Sequence, residues 1–418
     1  MKFSTHNQKG QALVLIVIAI VGLIGLVALA IDGGNAFSDR RHAQSAADTA
    51  GLAAALAKVH SQSWMDAGLS RAASNGYTND GVRSTVQVTT DPMGPGCDGT
   101  VPNPVNPNIS GDKSSYYILV VIHSNVDTYF ASVLGVNQIH NCVQAIVRGR
   151  PSITVPIAYG NALVSLDPSS CKSFWVHGTS DSIVEGSGVF VNSSCNSDAL
   201  NAFDLTGSGQ LQAPNICVVG GATYNSGGVY PAPNTNCGPA LPYPPDYIWP
   251  QPTCSVAATK GNNIVSPGNI QGSWISGNIT MQPGIYCISG NVMIGSNDHI
   301  TGNGVLWYFM DGGLTVNGGA NVNISAPTGG DFAGLLIYLP LTNSNTIILN
   351  GDANSQYTGT ILAPASQIQI NGTNSNYGYH CQIIGFQIDL SGTGYDLIDY
   401  QDNQNFDITV PPSIDLVR

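Results

Sequence analysis

Ile368-Gln369-Ile370-Asn371-Gly372 and Ile388-Asp389-Leu390-Ser391-Gly392 are two copies of one pentad, set 20 residues apart. The same block stands at 314–318 as LTVNG and at 347–351 as IILNG, the latter 21 residues ahead of the copy at 368. In all but IILNG, where Ile348 takes the polar place, aliphatic residues alternate with polar ones, and every run ends in Asn-Gly or Ser-Gly. Period-two alternation places the aliphatic pair on one face of a strand, and Asn and Gly accept the backbone conformations of a tight corner. Strand and corner repeated at a near-constant period predict a β-solenoid, each turn burying its inward side chains only against its neighbours. Ile368 should then lie under Ile388, about 4.8 Å away, with Gln369 and Asp389 on the polar face. The alternative is a β-sandwich, whose strands recur every 8–12 residues or so.

Weaker copies, Val189-Phe190-Val191-Asn192-Ser193 and Val292-Met293-Ile294-Gly295, extend the pattern upstream. An all-β domain is therefore expected over 151–418. A Pro-rich loop at 230–254 interrupts it, because its eight prolines cannot donate ladder hydrogen bonds.

Composition narrows the function classes. Only 9% of the 418 residues are charged, whereas 43% are hydrophobic, which excludes disorder as a whole despite 49 Gly and 24 Pro. The net charge of −12 lies wholly in the second part: residues 151–418 hold Lys172, Lys260 and Arg418 against 16 acids. A polyanion needs clustered Lys and Arg, so nucleic acid is not a partner. The only Glu is Glu185.

The nine cysteines, Cys97, Cys142, Cys171, Cys195, Cys217, Cys237, Cys254, Cys287 and Cys381, include no C-x-x-C pair. Wide spacing disfavours a zinc ribbon and favours disulfides in an oxidising compartment, with one thiol left over. Cys237 and Cys254, near the ends of the Pro-rich loop, are placed to pin it.

Ala12–Ile31 is an uncharged apolar run of 20 residues, about 30 Å as a helix and enough to cross a bilayer. Lys2 and Lys9 precede it without any acid, which puts residues 1–11 in the cytoplasm and the body outside. Ala28-Leu29-Ala30 permits a signal-peptide reading, but the run exceeds a typical signal core of roughly 7–15 residues. The helical pattern continues to about Val59 with Ala43, Ala46, Ala47, Ala50, Ala53, Ala54 and Ala57 as a small-residue stripe. That stripe fits either partner helices or the chain's own domain. A second helix is expected near Ser63–Ser74. An α+β unit follows to residue 150, with Tyr117–Ile122 as a central strand and a helix-like segment at Val126–Leu134.

Residues 9–57, KGQALVLIVIAIVGLIGLVALAIDGGNAFSDRRHAQSAADTAGLAAALA, resemble the N-terminal region of tight-adherence (Flp-type) pilus-assembly proteins of the TadE/TadG kind. The marks are Gly10, the Ala30-Ile31-Asp32-Gly33-Gly34 exit, Arg40-Arg41 and Gln44–Ala50, with Thr128-Tyr129-Phe130-Ala131 to Gly135 further on. The resemblance implies a transmembrane helix at 12–31 and a pilin-like α+β domain at 32–150. It also implies partners among other pilus-assembly proteins, and a role as an anchored structural or accessory component in assembly or adhesion. Gly10 and Gln11 are the implied processing pair, although the Glu that pilin-like members carry five residues after the cleaved Gly is Leu15 here.

No H-E-x-x-H, Walker loop or helix-opening G-x-G-x-x-G occurs, so neither a metal nor a cofactor is expected, and no catalytic residue is assigned. Asp396, Asp399 and Asp402 lack the EF-hand spacing and read as a solvated edge. The competing class is a cell-surface solenoid that binds or cleaves polysaccharide. Its candidates are Lys172, Lys260, Asp298, Asp311 and Asp331, with Trp175, Trp249, Trp274 and Trp307 as stacking surfaces.

Overall fold

The computed structural model describes residues 9–105, 112–235, 237–350, 355–372 and 378–417. Gly351, the corner of the second pentad, and most of the N-terminus expected in the cytoplasm fall outside them. The chain forms two compact units, Met1–Ile153 with Pro411–Arg418, and Thr154–Val410.

The first unit is built on one helix of 51 residues, α1 (Lys9–Val59). A shorter helix, α2 (Trp64–Ser74), packs beside it. Three antiparallel strands follow in the order β1 (Ser84–Thr89), β2 (Tyr117–Asp127) and β3 (Gln138–Arg150), so the apolar strand is central. Ser413–Val417 adds a fourth strand against β3, with Ile146 opposite Val417. Arg148 of β3 pairs with Asp112 at 2.9 Å and with Asp415 of that strand at 3.6 Å. Residues 411–418, expected in the all-β domain, belong to the first unit. Their alternating Ile414 and Leu416 complete this sheet instead. The helix-like reading of Val126–Leu134 also gives way: β2 runs on to Asp127, and only Ala131–Leu134 makes a short 3-10 turn.

Ala43, Ala46, Ala47, Ala50 and Ala54 are buried with Ile118, Val120, Ile122 and Val147. The small-residue stripe is therefore spent on the helix's own sheet. Helix and sheet approach closely: a Cβ on Gly51 would stand 2.5 Å from Val147 Cγ2.

The second unit is a large all-β region dominated by one 24-stranded sheet. Its ladders among the described residues are parallel, except the hairpin of Lys260–Gly261 with Ile264–Val265. The pentads stack in phase. Leu314 pairs with Ile347, Ile347 with Ile368, and Ile368 with Ile388. The column continues to Phe174 and then Phe203, whose rings stack at 5.6 Å. Phe174–Gly178 and Phe203–Gly207 are thus the true next copies. Val189–Val191 belongs to a different column, between Leu163–Ser165 and Ile216–Val218. At the corner, Gly178 and Gly207 both take positive φ (88° and 99°), and a Cβ on Gly207 would lie 2.4 Å from the Gly178 carbonyl oxygen. Only glycine meets both demands.

The chain enters this sheet at an interior row. Leu163–Ser165 pairs with Val189–Val191 on one side and with Ile383–Gly385, late in the chain, on the other. The segment 231–254 joins the two runs and crosses an apolar face. Along that face alternate residues serve two cores. Leu163, Ile383, Ile361 and Ile337 belong to the main one, while Val164, Ile384, Leu362 and Tyr338 belong to a second, joined by Leu241, Tyr243, Tyr247 and Trp249 of the crossing segment. Burial on both faces explains why these strands read as continuous apolar runs.

Candidate membrane anchor and assembly helix

The first half of α1 is long and apolar enough to cross a membrane, and none of its apolar window is buried by the rest of the chain. Gly10 and Gln11 lie in the first turn of α1, so the implied processing pair is helical. Nothing else about that pair follows from the fold.

Where the apolar run ends, the helix begins to bind its own domain through two aspartates. Asp32 is buried and accepts the backbone N–H groups of Tyr129, Phe130 and Ala131 at 2.9, 3.0 and 2.7 Å. Loss of solvent works against its charge, but the three donors outweigh that and lower its pKa. Two turns later Asp39 accepts from Tyr77 Oη at 3.0 Å, from Asn141 Nδ2 at 2.9 Å and from Ser124 Oγ. Burial, and then the Asp39 charge and hydrogen bond, push the Tyr77 phenol up. Asn141 Nδ2 also donates to the Ala36 carbonyl at 3.0 Å. From Asp39 onward the alanine stripe takes over, so one rigid helix passes from exposed apolar surface to a packed domain within two turns.

The cysteines form four disulfides, Cys97–Cys142, Cys171–Cys195, Cys217–Cys237 and Cys254–Cys287. Cys381 is the free thiol; it is fully buried, and desolvation raises its pKa well above the usual value. The crossing segment is therefore fastened at Cys237 and Cys254. Its interior is held too. Asn192 and Leu241 exchange hydrogen bonds of 2.9 and 2.7 Å, and the Tyr243 ring lies 5.0 Å from Phe386.

The residues considered for ligand chemistry are dispersed or mutually satisfied. Among the described residues, no three His, Cys, Asp or Glu come together to hold a metal. Asp396 is not a solvated edge: it is buried and accepts from Ser180 Oγ at 3.0 Å and Ser182 Oγ at 3.5 Å. Asp399 takes His380 at 3.0 Å, and Asp402 takes Tyr400 at 2.8 Å. Asp298 caps the Gly295 amide at 2.8 Å and Asp311 that of Gly290. Trp307 is core and Trp249 lies in the crossing segment. The one cluster that sequence reasoning missed gathers Lys172, Trp175, His177, Asp204 and Asp389. The Trp175 and His177 rings stack at 3.9 Å, Lys172 Nζ lies 4.3 Å above Trp175, and His177 Nε2 meets Asp389 at 2.9 Å. Lys172 approaches Asp204 at 3.9 Å. Each buried carboxylate thus lies against a nitrogen-bearing side chain of the neighbouring rows. Asp389, on the polar face of its strand, is buried by this stacking.

Residues 10–57 match the family model for Flp pilus-assembly, TadE/G-like. The N-terminal segment is similar to the TadE/G-like family. The match ends two residues short of the α1 terminus and takes in the apolar run, Asp32, Asp39 and the alanine stripe. It supports a role in Flp pilus assembly, and that family is structural. Residues 276–381 match a domain of unknown function, DUF7305, which covers the parallel rows from Asn278 to Cys381. No curated protein and no solved structure matches the chain.

Proposed function

We propose that this chain is a membrane-anchored, extracytoplasmic structural component of a Flp-type pilus system that supports pilus assembly or surface adhesion. The observation that carries the reading is α1 itself. A TadE/G-like helix presents an unburied apolar half and then locks its second half into its own sheet, so it ties the first unit to a bilayer. Four disulfides favour an oxidising compartment, and the basic residues ahead of the span favour a cytoplasmic N-terminus. Other pilus-assembly proteins are the partners this role requires.

The body is read as a β-solenoid. Parallel ladders, pentads stacked in phase and aliphatic columns support it, because a sandwich would set these strands antiparallel or in separate sheets. A carbohydrate-cleaving role is not favoured: of the acids named for it, Asp298 and Asp311 cap corner amides. Deleting the gene in its host and scoring pilus number and surface attachment tests the role. Loss of either, restored by the intact gene, is expected, and unchanged values for both would count against it.

A further inference from the structure

We propose that the loop from Thr128 to Asn137 is a second membrane contact, placing Tyr129, Phe130, Val133 and Val136 at the headgroup–acyl boundary of the bilayer that α1 crosses. The proposal rests on the reading of α1 as a span. Asp32 is the residue immediately after the apolar run, and three consecutive amides of the loop are bonded to it. The loop backbone is thereby held within hydrogen-bond distance of the point where the helix leaves the hydrocarbon. A hydrogen bond from the Thr128 amide to the Asn137 carbonyl at 3.0 Å closes the loop, and Gly135 turns it at φ 88°.

What the loop displays is what a membrane interface takes. Its ten residues carry no charge. Val133 is 87% exposed and Tyr129 72%, with Phe130 and Val136 also on the surface. Leu29 and Ile31, in the last turn of the apolar run, are exposed as well. Tyr and Trp concentrate at the two interfaces of a bilayer, and exposed apolar clusters of this kind mark contact surfaces. An anchor gripping the bilayer at two points fixes the tilt of the first unit as well as its height.

The test uses the full chain in phosphatidylcholine nanodiscs with a nitroxide on Val133→Cys, an exposed position where substitution leaves the core intact. Cys381 is buried and the remaining cysteines are in disulfides, so the label goes to the new thiol. Collision with oxygen and with a water-soluble nickel chelate is compared with Val82→Cys, exposed on β1's side of the unit, and with Leu23→Cys in the span. The oxygen-to-nickel ratio at Val133→Cys should exceed that at Val82→Cys several-fold. Equal ratios at those two sites, with Leu23→Cys oxygen-rich, would overturn the loop contact and leave the anchor standing. Water-like ratios at all three would overturn both. Spin–spin broadening at Val133→Cys that vanishes on dilution with unlabelled chain would assign the loop to a second copy and overturn the bilayer contact.

Discussion

Cys217 and Cys287 stand seven ladder steps apart in one side-chain column, and each is bonded to an end of the segment that crosses it. The column passes from Cys217 through Phe190, Val164, Ile384, Leu362, Tyr338 and Tyr308 to Cys287 by successive ladder partners. At about 4.8 Å per step the two cysteines are roughly 34 Å apart. The chain from Cys237 to Cys254, extended at about 3.1 Å per residue, reaches roughly 50 Å and spans it with room to bend. Prolines suit such a strap because they hold it extended and ask for no ladder partner.

Replacing Cys217 and Cys237 together by serine should therefore do more than open a loop. Loss of the 20-residue closure costs about 3 kcal/mol, and the apolar column should become accessible to a hydrophobic dye before global unfolding. Unchanged melting and dye binding would contradict the strap. In the unaltered chain, alkylation without reductant should mark one thiol after denaturation and none before it, read by intact mass.

The in-phase columns make opposite predictions for adjacent residues. Ile370 is fully buried, so Ile370→Asp places an unpartnered carboxylate in the core and should cost more than about 4 kcal/mol. Gln369, half-buried beside Asp389 on the face away from Ile370, has no place in that core, and Gln369→Lys should change stability by less than about 0.5 kcal/mol. Chemical denaturation of the pair checks both.

Burial raises the Asp396 carboxyl to about 6, against the hydrogen bonds from Ser180 and Ser182, whereas its ordinary value is 3.8. The folded state thus holds this proton more tightly than the unfolded one. The resulting stability is present in full below about pH 3.8 and is lost as pH rises through about 6. Asp396→Asn, which keeps a polar partner for the two serines without the charge, should melt higher than the unaltered protein near pH 7, by an amount on the order of 3 kcal/mol at most. The gap should close near pH 3.5. A gap independent of pH would reject the carboxylate as its source.

Gly51→Ala tests the helix–sheet approach in the first unit. The new methyl meets Val147 with no room to move, and overpacking of this kind costs about 1–3 kcal/mol. Leu52→Ala, one position on and exposed, should leave the melting temperature nearly unchanged.

Much of this architecture was legible in the residues. The four aliphatic pentads announced a stack because their alternation and corners recur in phase, and the apolar run and alanine stripe announced α1. The copies at Phe174–Gly178 and Phe203–Gly207 escaped because aromatic rings replace the aliphatic residues while filling the same column. The strap read as a surface loop because its prolines masked the four interspersed side chains, Leu241, Tyr243, Tyr247 and Trp249, that cover the second core. The return of Ser413–Val417 to the first unit has no local signal: a five-residue alternating strand pairs equally well with any open edge. Asp396 read as solvated because burial by a neighbouring row depends on contacts more than 200 residues away in sequence.

The claim at the centre of this reading is that the body works only while fastened to the membrane by α1. The direct measurement is pilus number in a host lacking the gene, complemented either by the intact chain or by one in which residues 12–31 are replaced by a cleavable signal sequence. Both chains should reach the same compartment and carry the same disulfides. An anchored structural component predicts that only the intact chain restores pili; equal restoration by the released body would contradict it.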